Sequence, residues 1–350
     1  MSELRAVLLA TDYPPRSGGI ARLLSELVRG TEHSVSWRVL DTRAESTRLV
    51  GTASMGRATR WLRAGDDRLV VCGHPYLAPA ALVMARAANA PLGSMAYGME
   101  LVPRRPAHHV ALRALRHSDR VVAISRHTAG CVRRLGVAED RLRIVAPRFR
   151  PSWAGRFPPR CRSEGAGLRV VALTRLSEGY KNVELLLHLA RVLGPSGVVE
   201  RTTVVGGGPR LEALRERADA FGLHDRFEFT GHVGDDQLGS RLGAADIGVF
   251  TSRDSIAEGG FEGFGLAVVE LAAAGMPVLV ARAAGATDAA ESEWSVLLDP
   301  DDLRAWVRAL EMLAADEPRR RAMAESAFAC GGALDSRVIA KLMLDALRSS

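Results

Sequence analysis

Twice along its 350 residues the chain repeats one rhythm, a short β-branched or aliphatic run followed by a helix-length amphipathic segment. In the first pass the runs fall at 7–10, 35–40, 69–72, 92–96, 121–124 and 142–145, with helical patterns between them, for example at 20–29, 77–88 and 107–117. This alternation is the signature of a parallel sheet covered by helices on both faces, because each parallel crossover must pass over the sheet before the next strand is laid down. Turn formers then crowd 147–167 and break the rhythm, so 151–167 reads as a linker. Strand patterns resume at 168–173, 202–205, 227–229, 247–250 and 278–280, with helices at 183–193, 209–221, 235–242 and 266–275. The expected architecture is α/β: two Rossmann-like domains facing a cleft, 1–150 and 168–330, followed by C-terminal helices. The last of these, 331–350, is free to return to the first domain.

Apolar residues at 47% and charged residues at 25% are the proportions of a packed globular chain and exclude disorder. The longest apolar stretch, 266–281, is interrupted by Glu270 and Pro277, so no membrane-spanning segment is expected. The apolar run at 6–10 is too short for a secretory signal, and a cytoplasmic location follows. Cys72, Cys131, Cys161 and Cys330 lie far apart, without the paired spacing of a zinc site or a disulfide framework. Charge is unevenly distributed: residues 1–165 hold 27 arginines against 13 acidic residues, whereas the remainder holds 20 cations against 27 acids. A basic half suits phosphates or an anionic membrane surface. Nucleic acid is disfavoured, since the basic half carries neither interleaved aromatics nor a recognised reader motif.

In open parallel sheets ligands bind beyond the carboxyl ends of the strands, so the loops that follow strands carry the candidate chemistry. The first strand runs into Asp12-Tyr13-Pro14-Pro15-Arg16-Ser17-Gly18-Gly19, a glycine turn that opens a helix. Its amides serve either a phosphate or merely a tight connection. In the second half, Arg175 and Lys181 flank a loop after a strand and can hold two phosphates through charge-assisted hydrogen bonds. Lys181 is one of only two lysines in the chain, the other being Lys341. The turn Gly206-Gly207-Gly208-Pro209 again joins strand to helix, either for steric reasons or for a ligand. Glu262 and Glu270 are separated by seven residues that include Gly263-Phe264-Gly265-Leu266, the first in a loop and the second on the helix that follows. Glu270 has apolar neighbours, so its carboxylate needs donors from water, an arginine or vicinal ligand hydroxyls.

Taken in order, Arg175 and Lys181, Gly206 to Pro209, Phe229-Thr230-Gly231-His232-Val233 and the Glu262–Glu270 pair resemble the retaining GT-B glycosyltransferases of the family-four type. Pro14 to Gly19 and Ala123-Ile124-Ser125 fit the same group, its phosphoinositide mannosyltransferases included, and the resemblance spans residue 6 to about residue 300. It implies a nucleoside-diphosphate sugar, UDP- or GDP-linked, as co-substrate without a further cofactor or metal. Arg175 and Lys181 would bind the diphosphate, Glu262 the donor sugar and Glu270 the ribose hydroxyls. Phe264, Gly265 and Leu266 would offer amides, Gly207 and Val233 would line the donor, and Gly18 and Gly19 would close over the phosphates. The acceptor would be a hydroxyl of a lipid-linked molecule, a glycan or a small natural product, attacking the sugar on the face from which the nucleotide leaves. Where many relatives carry a histidine, this chain has Tyr97 in Ala96-Tyr97-Gly98-Met99-Glu100, which makes Tyr97 and Glu100 candidates for the sugar or the acceptor. The segment Arg57-Ala58-Thr59-Arg60-Trp61-Leu62-Arg63 forms either a face for anionic lipid or an ordinary solvated helix. Rival functions on the same scaffold are a nucleotide-sugar epimerase, a disaccharide-phosphate synthase and a noncatalytic nucleotide-sugar sensor.

Overall fold

A computed structural model describes residues 3–15, 18–42, 52–103, 105–149, 151–154, 167–332 and 335–348. The chain divides into two compact units, Met1–Phe149 with Asp335–Ser350, and Arg150–Leu334. Most of the expected linker, 155–166, lies outside the described residues, as do Arg16, Ser17 and Cys161.

In the first unit the order is β1 (Leu4–Ala10), α1 (Gly19–Thr31), β2 (Val35–Asp41), α2 (Thr52–Arg63), β3 (Arg68–Cys72), α3 (Ala78–Ala88), β4 (Leu92–Ala96), α4 (Pro106–Ala114), β5 (Arg120–Ala123), α5 (Arg126–Arg134) and β6 (Leu142–Ile144). The strands form one sheet in the order β2-β1-β3-β4-β5-β6, parallel throughout. Every residue of β4 and nearly every residue of β1 is buried, as strands covered on both faces must be. The half-exposed β2 takes an edge position.

The second unit runs β7 (Leu168–Leu173), α6 (Val183–Leu193), β8 (Val199–Val205), α7 (Leu211–Ala220), β9 (Phe227–Gly231), α8 (Asp235–Leu242), β10 (Ile247–Phe250), α9 (Leu266–Ala273), β11 (Val278–Ala281), β12 (Ser295–Leu298), α10 (Leu303–Ala315) and α11 (Glu317–Gly332). Its sheet, also parallel, has the order β12-β11-β10-β7-β8-β9. The four-residue edge strand β12 is an addition to the sequence reading. Trp294, just before it, and Trp306 on α10 are both buried, and their indole N–H groups donate to Glu291 Oε2 at 3.2 Å and to the Asp299 carbonyl at 2.8 Å.

The final helix α12 (Ser336–Leu347) belongs to the first unit. Asp335 caps it by accepting the Arg337 amide at 2.8 Å. Two glycines admit it: a Cβ on Gly30 of α1 would stand 2.4 Å from Ala340 Cβ, and one on Gly93 of β4 would stand 2.6 Å from the Leu347 carbonyl. Among the described residues no helix is long and apolar enough to cross a membrane. Cys72 and Cys131 are buried free thiols, and burial pushes the Cys72 thiol up to about 12.

Candidate functional site

In the second sheet β7 is flanked by β8 on one side and β10 on the other. The chain leaves β7 towards β8 but leaves β10 towards β11, so the crossovers diverge and a crevice opens at the carboxyl ends of β7 and β10. Strands β7 and β10 are paired in register, Ile247 with Val170 and Gly248 with Val171. The loop carrying Arg175 and Lys181 and the loop carrying Glu262 therefore start side by side.

Three loops at this edge are tied together by backbone bonds. The Thr174 amide donates to the Val205 carbonyl at 3.0 Å, Leu176 to Gly207 at 2.9 Å and Gly206 to Gly231 at 3.0 Å. Such contact needs glycine at two of the three positions in the Gly206-Gly207-Gly208 turn. A Cβ on Gly206 (φ 137°) would lie 1.9 Å from the Thr174 carbonyl oxygen, and one on Gly208 (φ 155°) 2.4 Å from that of Leu176. Gly207 has room for a Cβ, 3.4 Å from the His232 amide nitrogen. Packing thus accounts for the outer two glycines and leaves Gly207 unexplained by sterics. Val233, half-buried, follows on the neighbouring loop.

After Leu176 the chain makes a 3-10 turn, Gly179–Lys181, and Asn182 in the left-handed region (φ 50°) opens α6. The turn buries Tyr180 and Lys181. Lys181 Nζ forms a close ion pair with Glu262 Oε1, and the side chains keep only 9% and 13% of their exposure. Ser252 Oγ donates to the same oxygen at 2.9 Å, and the Tyr180 ring lies 4.8 Å from the ammonium. Burial works to lower the Lys181 pKa, but the charge of Glu262, assisted by Tyr180 and by the hydrogen bond, lifts it above its ordinary 10.5. The ammonium is therefore fully charged at neutral pH. Arg175 acts in the opposite sense on Lys181, so the two cations feel each other. Exposed Arg175 has no carboxylate partner among the described residues. The pair of like charges makes a ready seat for a polyanion.

Glu262 leads into α9, whose cap residue Gly265 is left-handed (φ 83°) and has no side-chain cap. The positive end of the helix dipole is accordingly not neutralised by a capping side chain. Phe264 is buried, Leu266 half-buried, and Glu270 sits half-buried on the second helical turn, not free of partners. The loop is pinned from behind by Gly285, whose amide donates to the Glu262 carbonyl at 3.0 Å. A Cβ on Gly285 would fall 1.9 Å from the Gly263 carbonyl oxygen. Ser252, Tyr180 and Gly285 were not singled out in the sequence. Only Gly285 left a trace there, as a lone glycine just after the β11 run.

The candidates of the first unit are arranged differently. Gly18 (φ 146°) precedes α1 and Gly19 begins it. Tyr97 is buried, with its hydroxyl donating to the Gly73 carbonyl at 2.7 Å. Glu100 Oε1 accepts the amides of Tyr97 at 2.6 Å and Gly98 at 2.9 Å. Tyr97 is turned into the fold rather than out of it, and Glu100 closes the turn that follows β4. Trp61, in the basic α2 segment, carries the guanidinium groups of Arg38 and Arg5 at 4.7 and 5.4 Å from its ring.

Residues 166–329 match the family model described as glycosyl transferases group 1. This segment is a glycosyltransferase group 1 domain. The two doubly wound units together give the GT-B fold, and the chain is a nucleotide-sugar-dependent glycosyltransferase. It is 28% identical to a GDP-mannose-dependent alpha-(1-6)-phosphatidylinositol monomannoside mannosyltransferase of Mycobacterium tuberculosis, over 91% of each chain. It is 26% identical to the putative colanic acid biosynthesis glycosyltransferase WcaL of Escherichia coli, covering 84% of this chain and 74% of that one. Among solved structures, Anabaena Alr3699/HepE in complex with UDP superposes with a TM-score of 0.76 at 16% identity, over 97% of this chain and 98% of that one.

Proposed function

We propose that this glycosyltransferase moves a hexose, with retention of configuration and without a metal, from a nucleoside-diphosphate sugar to a hydroxyl of a lipid-linked or glycan acceptor. The observation that carries this reading is the Lys181–Glu262 pair at the β7/β10 crevice, beside Arg175, which has no carboxylate partner among the described residues, and ahead of the uncapped α9 terminus. Two cations and a helix terminus supply the positive charge that a departing diphosphate needs. On donor binding the Lys181 ammonium turns from Glu262 to a phosphate oxygen, and Glu262, still held by Ser252, accepts from a sugar hydroxyl. Gly207, Val233 and the amides of Phe264, Gly265 and Leu266 line the nucleotide side, and Glu270 takes the ribose hydroxyls. The leaving phosphate accepts the proton of the attacking hydroxyl, so rate comes from position and preorganised charge.

The test is a thermal-shift panel of GDP, UDP, ADP and dTDP, followed by turnover of the matching nucleotide sugar. Selective binding raises the melting temperature in proportion to affinity. GDP is the expected binder, given the GDP-mannose-dependent relative. Sugar release or transfer that requires an added acceptor supports the reading, whereas isomerisation of the donor alone overturns it.

Peripheral contact with an anionic lipid surface, at the cytoplasmic face, belongs to the same reading. Its support lies in the first unit, on α3 and α4 more than on α2. Between Asp67 and Asp119 the sequence holds six arginines and one carboxylate, Glu100, already bound to backbone amides. Arg86, Arg105, His109 and Arg113 are exposed there together with Val83 and Val110. The α2 candidate Arg63 is committed to the Ala87 carbonyl of α3 at 2.6 Å. Co-sedimentation with phosphatidylglycerol vesicles but not phosphatidylcholine vesicles, lost on Arg105→Glu with Arg113→Glu, is the expected result.

A further inference from the structure

Between Ser252 and Glu262, residues 253–260 form a small hairpin that none of the motifs above includes. Ser255 and Gly260 exchange amide-to-carbonyl bonds, both 2.8 Å. Arg253 grips Glu258 with two hydrogen bonds, one of them from Nε at 2.8 Å, and reaches Asp301 Oδ1 at 3.4 Å. The bidentate geometry closes the hairpin as a rigid ring.

This ring clasps the turn that carries Lys181. The Arg253 amide donates to the Tyr180 carbonyl at 2.7 Å, and the Tyr180 amide donates to the Glu258 carbonyl at 3.2 Å, so both members of the ion pair hold Tyr180 through their own backbone. The surfaces interlock closely: a Cβ on Gly179 would meet Glu258 Cβ at 3.2 Å, and one on Gly259 (φ 110°) would meet Glu178 Cβ at 3.1 Å. From the strand side Thr251 Oγ1 donates to the Lys181 carbonyl at 2.8 Å. The same hairpin thus follows the serine that holds Glu262, leads on towards Glu262 itself, and grips Lys181's neighbour between.

We propose that residues 253–260 are a strap, closed by the Arg253–Glu258 pair, that sets the position of the Lys181 ammonium relative to Glu262 for donor binding. Arg253 and Glu258 are positioning residues, acting through Tyr180, and the donor clause rests on the reading of Lys181 given above. Loss of the pair frees Tyr180 to swing, and the buried ammonium becomes accessible.

The scarcity of lysine makes this directly measurable, because Lys341 on α12 is exposed and serves as an internal reference. Reductive methylation of the intact chain with carbon-13 formaldehyde, followed by NMR, reports the two side chains separately. In the wild type Lys181 reacts far more slowly than Lys341. Arg253→Ala and Glu258→Gln are each expected to raise the Lys181:Lys341 rate ratio about tenfold, the weight of one lost charged hydrogen bond. The charge-exchanged double variant R253E/E258R restores it. Calorimetric titration with GDP and UDP should show the preferred nucleotide weakened about tenfold in the single variants and recovered in the double. An unchanged rate ratio in folded single variants overturns the strap. A raised ratio with unchanged nucleotide affinity keeps the strap but removes Lys181 from the donor site. Should Arg253→Ala fail to fold, the nearly isosteric Glu258→Gln carries the same test.

Discussion

Both units are parallel sheets with helices on either face, yet their carboxyl-end loops are used in opposite ways. In the first, the loop after β4 satisfies itself: Tyr97 reaches the Gly73 carbonyl, Glu100 takes two amides, and Thr128 Oγ1 donates to the Tyr97 carbonyl at 3.2 Å. In the second, side chains face one another across a crevice, and one cation, Arg175, has no carboxylate partner among the described residues. A buried polar group that meets a backbone partner contributes to stability, whereas charge concentrated without full neutralisation is held for something that arrives. The same architecture therefore carries a self-satisfied loop on one sheet and a cluster of charges on the other.

Removing the ammonium probes that contrast most strongly. Lys181→Ala should lower the rate of transfer by about 10²–10³, comparable to the loss of one donor from a preorganised site, while the chain still melts cooperatively. Steady-state kinetics at saturating donor checks this, and undiminished kcat would place the chemistry elsewhere. Next in size, Tyr97→Phe leaves the Gly73 carbonyl short of a donor inside the first unit and should cost about 1 kcal/mol of stability. Its denaturant midpoint should fall with kcat/KM unchanged. A variant of full stability with crippled transfer would return Tyr97 to the substrate and erase the distinction between the sheets.

The smallest effect concerns Glu100. Burial lifts its pKa above the ordinary 4.5 and outweighs the opposing amide bonds from Gly98 and Tyr97. A carboxyl with a raised folded pKa binds its proton more readily in the native state, so its contribution to stability is complete below the unfolded pKa and is lost as pH rises through the folded one. The unfolding free energy of the wild type, taken relative to Glu100→Gln, should therefore decline from about pH 4.5 upward and then level off. Chemical denaturation at a series of pH values tests the sign.

Much of the architecture was legible because burial on both faces writes aliphatic runs into central strands such as β1 and β3, whatever surrounds them. Strand β12 escaped because it is a four-residue edge strand that opens on a serine and is half-buried at its other three positions, so it carries no such demand. At the site, charged residues on loops after strands stood out, since nothing in local structure calls for Arg175, Lys181 or Glu262 at those points. What could not be read was how side chains are spent. Tyr97 turning to Gly73, Gly285 pressed against Gly263, and Arg253 gripping the hairpin beneath Tyr180 all depend on residues brought together only by the finished fold. Proximity of this kind leaves no periodicity in the chain.

Because α12 lies over α1 and β4, the N-terminal sheet lacks part of its cover until residues 336–347 have been synthesised. On the ribosome, the half that emerges first is thus the half that must wait, while the later half can close as soon as α11 is out. A premature stop ahead of residue 336 would damage the sheet made first, and chaperone demand during translation should fall on the early segment rather than the late one.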